Sequence, residues 1–261
     1  MKVVLFCGGQ GMRIRDFSGE VPKPMVMVGN RPILWHVMKY YAYFGHKEFI
    51  LCLGHGAEAI KKFFLEYEEA VSNDFVLRGG SGERTLLGTD IDDWTITFVD
   101  TGLESQPGER LRRVRPHIGD DEVFLANYAD GVTDLDHAAY IDEFEKHGKI
   151  GAFLAVRPPH SYHVAHLEGD DAIDLVPMGE EDLWLNGGYF IFRREIFDYI
   201  EPGDKLVEGP LSRLTKERQL HAHRFTGWWS PMDTFKEQNY LEGLYNSAQA
   251  PWAIWRNGRG E

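Results

Sequence analysis

Three glycines, an arginine and a lysine near the N-terminus have the types and spacing that suit phosphate chemistry. Gly8-Gly9-Gln10-Gly11-Met12-Arg13 directly follows the apolar run Val3 to Phe6, and Pro22-Lys23-Pro24 comes shortly after. Glycine tolerates positive φ and lets backbone N–H groups approach an anion closely. Arg13 would add a planar two-point donor and Lys23 a mobile point charge. The glycines alone read equally well as an ordinary turn; Arg13 and Lys23 tip the reading toward phosphate. Two other phosphate loops fit poorly. A dinucleotide loop needs an acid after the second strand, and that run ends Leu53-Gly54-His55. The Walker pattern, with its Gly-Lys-Ser/Thr ending, is absent.

These residues need a scaffold, and the periodicities supply one. Val3–Phe6 reads as a strand buried on both faces. Further strands are predicted over Glu48–Leu53, Trp94–Val99, Val123–Tyr128, Ile150–Val156, Tyr189–Phe192 and Leu220–Phe225. Helices are predicted over Ile33–Phe44, opened by Pro32, and over Ala57–Glu68, Leu111–Ile118, Ala138–His147 and Phe235–Ser247. Alternating strands and helices imply an α/β fold with a mostly parallel sheet flanked by helices. Ser72–Asp93 and Arg157–Asn186 are the least regular stretches, and residues 257–261 read as a polar tail.

Composition narrows the class. The chain has 261 residues, 43% hydrophobic and 26% charged, and a formal charge of −13. These are globular values, enough for a chain that buries about three quarters of its unfolded surface. The acidic balance argues against a nucleic-acid or anionic-membrane footprint. Cys7 and Cys52 are too few for a disulfide framework and read as buried thiols of a reducing compartment. No apolar run is long enough to span a membrane or to act as a signal peptide, so a cytoplasmic protein is expected.

The glycine loop with Arg13, followed by Pro22-Lys23-Pro24-Met25, resembles the signature of the sugar-1-phosphate nucleotidyltransferases. Pro32-Ile33-Leu34-Trp35-His36, Val99-Asp100-Thr101-Gly102, Gly131-Val132-Thr133-Asp134-Leu135-Asp136, Asn186-Gly187-Gly188, Pro231-Met232-Asp233-Thr234, Tyr240-Leu241-Glu242-Gly243-Leu244 and Ala250-Pro251-Trp252 extend the resemblance to about Trp255. They bring it nearest the glucose-1-phosphate cytidylyltransferases. The resemblance implies a Rossmann-like fold and transfer of CMP from CTP to a phosphorylated acceptor, with Mg²⁺ and release of pyrophosphate. It implies one domain over 1–256: a nucleotide half to about 135, an acceptor half to about 234, then the terminal helix. By motif, Phe6, Cys7, Gly8, Gly9, Gly11, Met12, Arg13, Lys23, Thr101, Arg110, Ala129 and Asp130 would bind nucleotide. Arg13, Lys23 and Asp130 would be catalytic, and Asp130 and Asp233 would hold the metal. His163, Asn186, Gly187 and Glu208 would meet the acceptor. A homo-oligomer is expected, with Ser72–Asp93 and the terminal helix as contact candidates, and with neither nucleic acid nor membrane as partner. The carboxylates suit the role physically: Asp130 follows a strand and would emerge at the same sheet edge as the glycine loop, and magnesium takes one or two carboxylates plus phosphates.

The chain departs from the family it resembles mainly in the stretch that the resemblance assigns to the acceptor. Met12 stands where the family usually has Thr. The family's Arg-Phe-Gly is replaced within Pro158–His166, with His163 at the glycine, and its Glu-Lys-Pro lysine has no counterpart between Asp170 and Gly188. The expected acceptor is therefore something other than plain glucose 1-phosphate: a modified sugar phosphate, or a smaller phosphate or phosphonate. His160, His163 or His166 would replace the lost phosphate contact, bind metal, or simply be exposed. Two rivals stand beside this reading. One is a glycosyltransferase using Asp134-Leu135-Asp136 for metal; the other is a non-catalytic nucleotide sensor.

Overall fold

The computed structural model describes residues 1–9, 21–158 and 163–256. Gly11, Met12, Arg13, His160 and the tail from 257 lie outside them.

Strand β1 (Lys2–Phe6) is central. Parallel β2 (Glu48–Leu53) and β6 (Val123–Tyr128) flank it. Outside β2 lies parallel β5 (Thr95–Asp100). On the other side, β12 (Phe190–Arg193) pairs antiparallel to β6, and β8 (Gly151–Val156) pairs antiparallel to β12. Two further strands complete an eight-stranded sheet: β11 (Leu185–Asn186), antiparallel to β8, and β13 (Leu220–Phe225), parallel to it. The sheet therefore draws strands from both the N-terminal and the C-terminal parts of the chain.

The strands lack a polar face because both faces are covered. Val3 and Leu5 enter one cluster with Ile33, Val37, Met38, Tyr140 and Leu241. Val4 and Phe6 enter a second with Leu111, Val114, Ile118 and Phe197. The first face carries α1 (Ile33–Tyr43), α2 (Ala57–Leu65), α4 (His137–His147) and α6 (Phe235–Asn246). The second carries α3 (Pro107–Ile118) and the short α5 (Ser212–Lys216). Each fully buried aliphatic side chain contributes roughly 1.5–3 kcal/mol, so this two-sided packing dominates the fold.

The structure departs from expectation in three places. Helix α3 begins a turn early because Pro107 starts it and Glu109 stays helical among Arg112, Arg113 and Gly203. Helix α2 stops at Leu65 rather than Glu68. The two irregular stretches each hold an antiparallel hairpin: β3 (Phe75–Arg78) with β4 (Glu83–Leu86), and β9 (His163–Glu168) with β10 (Asp171–Pro177). Both are exposed along most of their length, so no burial imprints a period on their sequences. Gly169, at φ +63, turns the second hairpin, and Gly-Asp between two runs was its readable signal.

Candidate active site

Order β5-β2-β1-β6 reverses direction at β1, and the carboxyl ends of β1 and β6 open the crevice where α/β sheets bind ligands. Lys23 is carried there by Pro22 and Pro24. The prolines hold a 3₁₀ turn over Lys23–Met25, with Met25 N–H donating to the Pro22 carbonyl at 2.8 Å. Asp130 leaves the end of β6. Asp233 arrives through a ladder absent from the sequence reading: β7 (Gly131–Thr133) pairs antiparallel with β14 (Trp229–Pro231), and Met232 N–H donates to the Asp130 carbonyl at 2.9 Å. Beyond it a capping box starts α6. Thr234 accepts from Glu237 N–H, and the Glu237 carboxylate accepts from the N–H groups of Asp233 and Thr234.

The three side chains meet. The Lys23 ammonium donates to Asp130 Oδ2 at 2.5 Å and also to Asp233 Oδ1. The two carboxylates thus lie no farther apart than two hydrogen bonds span. Burial pulls the Lys23 pKa down, but the Asp130 charge and the bonds to both aspartates outweigh it, so the net shift is upward. An ammonium held between two carboxylates is a cation site by construction, and the donor set suits a hard divalent ion completed by water and phosphate oxygens.

Arg110 lies beneath the start of the glycine loop and is nearly inaccessible. Nη1 donates to the Leu53 carbonyl at 2.9 Å and to Thr101 Oγ1 at 2.7 Å; Nη2 donates to the carbonyls of Gly8 at 2.9 Å and Leu103 at 3.3 Å. Thr101 Oγ1 in turn donates to the Leu53 carbonyl at 2.6 Å. All four terminal N–H groups are thus spent on the protein, and they fix where the loop leaves β1. Gly8 is glycine for a packing reason, since a Cβ would stand 2.2 Å from Arg110 Nη1. Phe6, Cys7 and Ala129 are buried beside these strand ends, while Gly9 is exposed. Burial pushes the thiols of Cys7 and Cys52 upward, which keeps both protonated.

At the Asn-Gly-Gly motif, Asn186 Oδ1 accepts from Gly188 N–H at 3.0 Å, and the Gly187 carbonyl accepts from Trp229 Nε1 at 3.1 Å. Gly188 has φ +79, and a Cβ there would stand 2.4 Å from Asn127 Oδ1, so only glycine fits. Asn186 and Glu208 share a cleft of about 470 Å³. Sequence reasoning missed Tyr128, two residues before Asp130. Burial, followed by the charge of Asp130, pushes its phenol up to about 12, and it lies within hydrogen-bonding reach of Asn186. A second cleft of about 900 Å³ is lined by Trp228, Trp229, Thr234, Tyr240 and two cations also missed, Arg157 and Lys236. Their signal was position: one follows β8 and the other lies three residues after Asp233. His163 is not gathered in by any described contact. It opens the exposed hairpin opposite Pro177, and His166 Nε2 pairs with Glu181 at 2.8 Å.

Asp134 and Asp136 are committed elsewhere. Asp134 Oδ1 accepts from Trp228 N–H at 2.9 Å, and Asp136 caps α4 through Ala139 N–H at 3.1 Å. A metal-binding Asp-x-Asp pair has no support in that geometry.

The nucleotidyl transferase family model matches residues 2–245. The chain belongs to the nucleotidyl transferase family. It is 37% identical over 258 residues to glucose-1-phosphate cytidylyltransferases of Salmonella typhi and Salmonella typhimurium, covering 98% of this chain and 100% of each relative. The inositol-1-phosphate CTP transferase of T. maritima superposes with a TM-score of 0.64 at 13% identity, covering 96% of this chain and 95% of that one, a likeness of fold.

Proposed function

We propose that this nucleotidyl transferase family member transfers CMP from CTP to a phosphorylated acceptor and releases pyrophosphate, with magnesium as its divalent ion. The carrying observation is the meeting of Lys23, Asp130 and Asp233 beyond the ends of β1 and β6. Identity to cytidylyltransferases across their whole length supports CTP as donor and a sugar 1-phosphate as the acceptor class.

In this reading Gly8, Gly9 and Gly11 bind the triphosphate, and Phe6, Cys7, Met12 and Ala129 add to nucleotide binding. Arg110 and Thr101 keep the strand ends in shape beneath the base. Asp130 and Asp233 hold the ion, which when bound neutralises charge on the triphosphate. Lys23 exchanges its carboxylate partners for the α-phosphate, and Arg13 supports the leaving phosphates. An acceptor phosphate oxygen attacks the α-phosphorus in line, forming the new P–O bond. The α–β bridging bond breaks, and its electron pair leaves with pyrophosphate. No protein nucleophile is needed.

His163, Asn186, Gly187 and Glu208 face the acceptor in this reading, and Arg157 and Lys236 replace the family's absent lysine as its phosphate contacts. The acceptor is then other than plain glucose 1-phosphate, because the groups around it are rebuilt. Residues 1–256 act as one domain in the cytoplasm, as a homo-oligomer with Ser72–Asp93 and the terminal helix as contacts. Exposed Phe75, Val76, Leu77 and Leu87 support the first of those contacts.

The test is a panel of phosphorylated acceptors with CTP, UTP or dTTP and Mg²⁺, followed by pyrophosphate release. The expected result is release that requires CTP and is lost in Asp130→Asn. Pyrophosphate formation unchanged in that variant would overturn the assignment, and efficient turnover of glucose 1-phosphate would remove the altered acceptor.

A further inference from the structure

A second group of ligating side chains lies far from this site. Glu143 and His147 are one turn apart on α4, and His221 and His223 alternate on one face of β13. His221 Nε2 lies 2.7 Å from Glu143 Oε1, and His147 Nε2 lies 3.6 Å from the same oxygen. Three donor atoms, one each from Glu143, His147 and His221, fall within 4.8 Å of one another. A tetrahedral ion with bonds of about 2.0–2.1 Å holds its ligands roughly 3.4 Å apart, so small side-chain adjustments suffice. The His147 and His221 rings stack with centroids 3.8 Å apart. His223 Nδ1 holds the other carboxylate oxygen, Glu143 Oε2, at 2.8 Å, as outer partners of metal carboxylates do. Lys149, a nearby cation, reaches instead toward the Leu220 carbonyl at 3.4 Å.

We propose that Glu143, His147 and His221 bind a divalent transition ion of the zinc class, oriented by His223 and with a fourth position left to water. Two imidazoles and a carboxylate suit such an ion better than magnesium. The site is separate from the nucleotide crevice. His221 sits near the amino end of β13, beside Ala152 of β8, whereas Asp130 lies beyond the carboxyl end of β6, with β12 and β8 between. β13 pairs on one side with β8, so the ion would clamp an outer strand of the sheet to α4.

The test uses untagged full-length protein stripped with chelator, then titrated with Zn²⁺ by calorimetry and with Co²⁺ by visible absorption. The expected result is one Zn²⁺ per chain, tetrahedral Co²⁺ bands, and a thermal midpoint that rises with Zn²⁺. His147→Ala and His221→Ala should each weaken Zn²⁺ binding at least tenfold, and His223→Ala by about tenfold. Asp130→Asn with Asp233→Asn should keep it unchanged. The proposal fails if no Zn²⁺ binds. It also fails if both histidine variants bind Zn²⁺ as the parent does, or if binding follows Asp130 and Asp233 instead. Circular dichroism of each variant separates loss of the ion from loss of the fold.

Discussion

Lys23 is the residue on which the crevice turns, because its ammonium is bonded to both aspartates. Lys23→Met removes that cation from between two partly buried carboxylates. We expect a fall in kcat on the order of 10²–10³, read from pyrophosphate release, with little change in the circular dichroism spectrum. Lys236→Ala, on the rim of the larger cleft, should raise the acceptor KM several-fold while the CTP KM holds. Buried histidines predict an acid limit. Burial lowers His36 to about 4 and His137 to about 3, with His46 at about 4. The unfolded chain protonates these groups near pH 6.5 while the folded protein does not, so stability is complete above that pH and is lost as pH falls toward 4. The thermal midpoint should drop by more than about 5 °C between pH 7 and pH 4.5. His137→Phe should flatten that slope, since both ring nitrogens lack a partner in the structure.

At the scale of elements, the site depends on how short segments end. Asp233 is held by the start of α6, where Thr234 and Glu237 satisfy each other's backbone. Thr234→Ala should cost about 1 kcal/mol in chemical denaturation and lower activity beyond that stability loss, because Glu237, which accepts from Asp233 N–H, loses its bonds to the Thr234 hydroxyl. Tyr189 occupies the left-handed region at φ +49, a strain of roughly 1–3 kcal/mol, and its hydroxyl donates to the Gly131 carbonyl at 3.0 Å beside Asp130. The regular helices were legible because burial of one face imposes a period of 3.6, and the central strands because burial of both faces leaves continuous apolar runs. The two hairpins carry no such imprint, being exposed on both faces, and the β7–β14 ladder is too short to show a period.

Across the whole molecule, the exposed apolar residues of the first hairpin predict assembly. Light scattering should report a mass above that of one chain. Leu77→Asp should lower it, since a charge on a buried apolar contact is costly. Ligand should couple to global stability as well, because the crevice joins β1, β6 and the start of α6. CTP with Mg²⁺ is expected to raise the thermal midpoint, and Asp233→Asn to abolish most of that rise.

The sequence by itself determined the sheet order's ingredients, the apolar core, the glycine-rich segment after β1 and the identity of the three crevice residues. Each of these is written in local pattern: an apolar run, a glycine spacing, a motif. The tertiary structure decided which distant groups meet. Antiparallel pairing of Gly131–Thr133 with Trp229–Pro231 carries Asp233 to Asp130, and β13 lying alongside β8 carries His221 to Glu143. It also assigned Arg110 to the carbonyls of Gly8 and Leu53, and Asp134 and Asp136 to backbone N–H groups. A charged side chain's partner is set by which backbone groups burial leaves unpaired, and that depends on the packed chain rather than on spacing along it.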